Sequence, residues 1–187
     1  MKDMRLFILS CLALLAAPSG ALVQRQQYPV ELTSIRDTKT FPVIAAGYGR
    51  GKMVIYQPDR LNFSVAYDAI EPNHKNSVTI FFYAETAAME LQFEREKKQI
   101  TGAHEGTTLL HENTVSFNKN GSSFSGYVAQ YRYNGVFAQQ QQELFSELIL
   151  IKLSDRYVKV RSTTPSSQAS IAQTNTRKLL DVINWAP

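Results

Sequence analysis

Ser146-Glu147-Leu148-Ile149-Leu150-Ile151-Lys152-Leu153-Ser154-Asp155-Arg156-Tyr157-Val158-Lys159-Val160-Arg161-Ser162-Thr163 reads as two β-branched, apolar runs hinged at Ser154-Asp155, the pattern of an antiparallel hairpin. Side chains alternate across a strand, so a short turn fixes which residues share a face. In that register Ile149 and Ile151 face the same way as Val160 and Val158, and these four are the expected core. The other face carries Leu148, Leu150 and Lys152 against Arg161, Lys159 and Tyr157, with the two basic stems expected to snorkel over apolar surface.

Working outward, the segment after the hairpin opens with Pro165-Ser166-Ser167 and repeats Ala172, Thr176, Leu179 and Ile183 at helical spacing, predicting a helix that runs to Trp185. Upstream, Phe124–Tyr133 and Thr107–Phe117 read as strands, with Asn134-Gly135 as the turn after the first of them and Gln139–Gln142 as a solvated loop. Ser122–Gly126 reads as a loop entering its strand, and no Gly-x-Ser-x-Gly elbow is present. Before these, Met89, Phe93, Ile100 and Ala103 recur at helical spacing between Thr86 as N-cap and Gly102 as stop. Glu90, Glu94, Glu96 and Lys98 fall on its other faces, expected in water, with Glu94 and Lys98 as an i,i+4 pair. Met53–Tyr56, Asn62–Ala69 and Ser77–Tyr83 complete the strands. Strands, a helix, strands and a helix give an α+β chain: a single domain with a mostly antiparallel sheet and two main helices.

The N-terminal region carries a different message. Lys2 and Arg5 precede an uncharged apolar run from Leu6 to Ala17, then Pro18-Ser19-Gly20-Ala21, the layout of a secretory signal peptide cut between Ala21 and Leu22. The apolar run is shorter than the roughly 20 residues that span a bilayer, so the expected mature chain has no transmembrane segment. This divides the sequence into a signal peptide at 1–21, a polar arm at 22–40 and one domain at 41–187. Cys11, the only cysteine, leaves with the leader, so the mature domain holds no disulfide or thiolate ligand. That favours a bacterial periplasm or secretion outside the cell. The alternative is a surface lipoprotein acylated at Cys11, a poor fit because Cys11 sits inside the apolar run.

Charge and motifs exclude more than they assign. The net charge of +4 is spread along the chain without basic runs, so no nucleic acid partner is expected. Gly47-Tyr48-Gly49-Arg50-Gly51-Lys52 has the glycines of a phosphate loop, yet a strand rather than a helix follows it. It is read as a plain glycine loop, and no cofactor is expected. The three histidines, His74, His104 and His111, lack the His-Glu-x-x-His spacing of a zinc helix, although with nearby acids they support an alternative reading as a hydrolase or metal-dependent enzyme. Tyr127, Tyr131 and Tyr133 share a strand face that Tyr157, Lys159 and Arg161 extend across the hairpin. Such a stripe either packs under a helix or binds a sugar, lipid or peptide. These six are the candidate binding residues.

The run from Ser146 through Arg156-Tyr157-Val158-Lys159-Val160-Arg161-Ser162-Thr163-Thr164-Pro165 to the closing helix resembles the end of PsbP-like α/β/α sandwich proteins, in which a Lys-x-Arg-x-Thr-x-Pro strand leads into the last helix. The resemblance covers the C-terminal third, with Thr163-Thr164-Pro165 approximating the usual spacing. It implies an extrinsic accessory or binding subunit without catalysis. The resulting expectation is an exported, non-enzymatic binding protein whose partner is another protein, an envelope component or a small ligand.

Overall fold

A computed structural model describes residues 40–56, 62–154 and 156–185. The signal peptide at 1–21 and all of the polar arm except Thr40 lie outside the described residues, as do both sides of the Ala21-Leu22 bond and Cys11. The strands are β1 (Ile44–Ala45), β2 (Tyr48–Ile55), β3 (Phe63–Ala69), β4 (Ser77–Tyr83), β5 (Thr108–Lys119), β6 (Ser122–Phe137), β7 (Gln140–Lys152) and β8 (Tyr157–Pro165). Helix α1 (Met89–Ala103) links β4 to β5, and a short 3-10 turn (Ser166–Gln168) leads from β8 into α2 (Ala169–Val182). All neighbours pair antiparallel in the order β1-β2-β3-β4-β8-β7-β6-β5, so two meanders, β1–β4 and β5–β8, meet where β4 pairs with β8. Among the described residues no helix is long and apolar enough to cross a membrane.

Strand alternation sends side chains to two separate cores. Ile149, Ile151, Val158 and Val160 are fully buried with Val65, Tyr67, Val78 and Ile80 against Leu179, Leu180, Ile183 and Trp185 of the α2 region. The opposite face buries Leu148, Leu150, Ala129, Tyr131 and Tyr157 against Phe93 and Ile100 of α1. The sheet is thus clamped between one helix on each face. The hairpin register is the expected one, Ile149 opposite Val160 and Leu148 opposite Arg161, and the predicted α2 stripe of Ala172, Thr176, Leu179 and Ile183 is buried. Trp185 closes that core, its indole N–H donating to the Leu180 carbonyl at 2.8 Å.

Several local expectations are corrected. Gly49, Arg50, Gly51 and Lys52 belong to β2, with a register shift between Arg50 and Met53, so the glycine segment is a bulged strand and not a loop. Helix α1 starts at Met89 with Ala88 as a cap that makes no side-chain bond. The Glu85 carboxylate accepts from the N–H groups of Thr86 and Ala87 instead of Thr86 capping the helix. Gly102 is inside the helix and His104 ends it. Lys97, not Lys98, makes the surface pairs, at 2.7 Å from Glu94 and 2.6 Å from Glu112. The helix predicted from Ser166 becomes regular only at Ala169 and stops at Val182.

The largest correction is at the β6–β7 hairpin. Asn134 and Gly135 stay in β6 opposite Glu143 and Gln142, Ser122–Ser125 also belong to β6, and Gln140–Gln142 of the expected Gln-rich loop form the first residues of β7. The turn is Ala138-Gln139, with φ of 50° and 64°. Two successive positive φ values are the two-residue hairpin turn that favours Asn-Gly. Left-handed backbone costs an ordinary residue about 1–2 kcal/mol. The double variant Ala138→Asn, Gln139→Gly is therefore expected to stabilise the protein by about 1–2 kcal/mol, read as a raised urea midpoint at unchanged slope.

Candidate functional site

Beneath α2 the polar groups satisfy one another. The Asn76 amide donates to the Tyr48 hydroxyl at 2.7 Å and to Thr176 Oγ1 at 3.2 Å, while Ser162 Oγ donates to Asn76 Oδ1 at 2.9 Å. Glu147, only 1% exposed, is held by both Arg177 guanidinium nitrogens at 3.0 and 3.1 Å and by Gln130 Nε2 at 3.1 Å. A buried carboxylate needs such a fork, because lost hydration must be replaced by charge-assisted bonds.

His74 sits at the edge of this network, 4% exposed, edge-on to Tyr48. The Asn175 amide donates to its Nδ1 at 3.3 Å, which leaves the proton on Nε2, a buried atom without a partner. Burial holds this imidazole below its ordinary value of 6.5, against a smaller opposing pull from Glu71. A folded pKa below the unfolded one means that the stability His74 contributes is complete above pH 6.5 and is lost as the pH falls from there through the folded value. Urea midpoints are expected to fall between about pH 7.5 and about pH 5.5, and His74→Gln to flatten that slope.

Beneath α1 the arrangement differs. Glu96, expected in water, is instead 5% exposed and turned inward. Lys159 Nζ pairs with its Oε2 at 2.8 Å, and Tyr83 Oη and Gln92 Nε2 donate to its Oε1 at 3.2 and 3.0 Å. Lys159 also lies 4.4 Å from the centre of the Phe81 ring. It therefore does not snorkel free as expected: a carboxylate from another element, placed 63 residues earlier, holds it. Tyr157 is fully buried, its hydroxyl donating to the Ala87 carbonyl at 2.8 Å. Tyr127 is half-buried, stacked on Phe93 at 4.9 Å with its hydroxyl on Glu90 at 3.0 Å. It borders a shallow cleft of about 420 Å³ with Met89, Thr114 and Ser125.

Buried atoms without a partner include His74 Nε2 and Gln92 Oε1, and at the C-terminal end of α1 two of them, Tyr131 Oη and Arg161 Nε, stand on one sheet face. Tyr131, Ser146 and Thr163 form one cross-strand row, and Arg161 stands in the adjoining row on the same face. Among the described residues Arg161 makes one hydrogen bond, from Nη2 to Ser146 Oγ at 3.3 Å, and its Nε is buried with no partner there. Burial lowers its pKa. The Tyr131 hydroxyl is buried and also unpartnered, with its pKa pushed up to about 12 by burial. His104 lies flat on Tyr133, ring centres 3.9 Å apart, and its pKa is lowered by burial and then by the field of Arg161.

Of the six residues named from sequence, all stand on the α1 side of β6–β8. Tyr157 and Lys159 are engaged, Tyr131 and Tyr133 are buried with Tyr131 still lacking a partner, and Arg161 makes no ion pair with a described residue. Sequence reasoning missed Ser146 and Thr163, which the hairpin register could have supplied, and placed His104 with the metal candidates. The histidines do not converge: His74 packs under α2, His104 on Tyr133, and His111 is exposed on β5 opposite Gln130. Among the described residues no three His, Cys, Asp or Glu side chains are placed to hold a metal ion.

No protein-family model and no curated protein matches the chain. Among solved structures, it is similar to PA94 of Pseudomonas aeruginosa, a protein of unknown function, with a TM-score of 0.49 and 13% identity over 66% of this chain and 82% of that one. It also resembles cyanobacterial PsbP of Synechocystis sp. PCC 6803, with a TM-score of 0.40 and 13% identity over 73% of this chain and 94% of that one. The chain is an antiparallel α+β protein whose arrangement its own sheet order and two flanking helices define.

Proposed function

We propose that this is an exported, non-enzymatic binding protein that takes a ligand or partner at the C-terminal end of α1. The observation that carries the reading is Arg161, a half-buried side chain whose Nε is enclosed without a partner and whose guanidinium makes no ion pair with any described residue. Cations so placed are ordinarily paired, because desolvation without compensation is costly. The other two buried ionic groups near the helices, Glu96 with Lys159 and Glu147 with Arg177, are complete within the fold. Export is supported by the leader pattern at 1–21.

Two measurements test the reading together. The intact mass of protein recovered from its native compartment should correspond to a chain beginning at Leu22. Capture from the matching envelope fraction should be strong for wild type and weak for Arg161→Gln with the same thermal unfolding. A retained Met1 removes the export half of the proposal, and equal capture by both proteins removes the binding half.

A further inference from the structure

We propose that Arg161, on the sheet face at the C-terminal end of α1, is the centre of a carboxylate-binding site, in which the guanidinium takes the ligand's two oxygens beside the hydroxyls of Tyr131, Ser146 and Thr163. This rests on the binding role proposed above and names the chemistry of the ligand. Two groups able to donate, Arg161 Nε and Tyr131 Oη, stand in adjoining cross-strand rows of one face, both buried and both without an acceptor. Glu96, the carboxylate whose field reaches Arg161, is already committed to Lys159, Tyr83 and Gln92. What these donors lack is an acceptor bearing negative charge.

Its charge count selects the class. Arg161 supplies one fixed positive charge, and His104 is kept neutral by burial and by that charge. A single planar fork matches the two oxygens of a monoanionic carboxylate, whereas a phosphate dianion calls for further cations. The stacked His104 and Tyr133 rings, both within the field of Arg161, supply aromatic surface for the apolar body that carries the acid group.

The geometry also fixes a linkage. His104 is stacked on Tyr133 of β6, and after burial the charge that depresses its pKa is Arg161 of β8, which itself lies in the fields of Tyr133, Glu96 and Tyr131. A bound carboxylate cancels part of that field, so binding raises the His104 pKa and, by reciprocity, affinity rises as the pH falls toward that value.

The test follows the His104 ring resonances of the wild-type protein by NMR while sodium benzoate is added, with inorganic phosphate as the comparison. Expected are a saturable shift with benzoate, an upward move of the His104 pKa, and binding about ten-fold or more weaker in Arg161→Gln, the loss of one charge-assisted fork. Arg161→Lys, which keeps the charge and loses the fork, should fall between. N-acetyl-tetraalanine with a free C-terminus, set against its C-terminal amide, distinguishes a chain terminus from a free acid as the source of the carboxylate.

Saturation by phosphate and not by benzoate overturns the carboxylate assignment while leaving the binding role standing. If neither anion moves His104, the site assignment falls, and the envelope capture then decides the binding role separately. The wild-type titration is decisive even if Arg161→Gln unfolds.

Discussion

Replacing Arg177 with Ala is expected to cost about 3–5 kcal/mol of folding stability, the penalty for stranding one member of a buried ion pair. Glu147 lies in the middle of β7, opposite Ser162 on one side and Gln130 on the other, and is 1% exposed. Removing the guanidinium takes away two of its three charge-assisted contacts and leaves only the Gln130 amide. Arg177 also lies 5.7 Å from the centre of the Phe117 ring, so some packing is lost with it. The pair itself need not be worth that much. Replacing both residues, Glu147→Met with Arg177→Met, is expected to recover most of the loss, because an apolar pair leaves no charge stranded. Chemical denaturation of the two single variants and the double variant gives the coupling directly, and a double variant as unstable as Arg177→Ala would show that the site needs its charges.

Tyr131 is the second position where a large effect is expected, and there two substitutions should part company. Tyr131→Ala removes a ring that is 1% exposed and packed in the core beneath α1, for an expected loss of about 3–5 kcal/mol. Tyr131→Phe keeps the ring and deletes only a buried hydroxyl without a partner. It should leave the unfolding midpoint unchanged or raise it, since an unsatisfied buried polar group costs about 1–3 kcal/mol. The same substitution should weaken benzoate binding. A variant more stable and less able to bind would identify the hydroxyl as kept for a ligand, whereas a clear loss of stability in Tyr131→Phe would mean that the hydroxyl has a structural partner.

The hairpin from Ser146 to Thr163 was legible because its turn is short and its two faces differ, one aliphatic and one mixed, so a register slip would expose every core residue. The stripe of α2 was legible for the same reason, since Ala172, Thr176, Leu179 and Ile183 leave no second face to bury. What the sequence hid depends on partners remote in the chain. Glu96 looks like any helical glutamate until Lys159 arrives from β8. Asn134-Gly135 carries the strongest local hairpin signal, yet Gly135 serves packing: a Cβ there would come within 3.0 Å of Leu144 and 3.3 Å of Tyr133. Tertiary pairing with Gln142 and Glu143 overrides the local preference and moves the turn to Ala138-Gln139. In the candidate site, Arg161 and the tyrosines were visible by alternation. Which of them lacked a partner was not, because satisfaction is a property of neighbours and not of residue type.

The joining of the two meanders at β4 and β8 bears on how the chain reaches this state. Seven register pairs, from Ser77 with Thr163 to Tyr83 with Tyr157, tie strands separated by more than half of the described chain. Each meander closes through nearby hairpins, whereas this seam waits for a long loop to be ordered, the slow kind of event in a β-rich protein. Until β8 has been made, Ser77-Val78-Thr79-Ile80-Phe81-Phe82-Tyr83 presents an open, aromatic edge to any other strand in reach. The vulnerable moment of this protein's life is therefore the interval between the making of its fourth strand and its eighth.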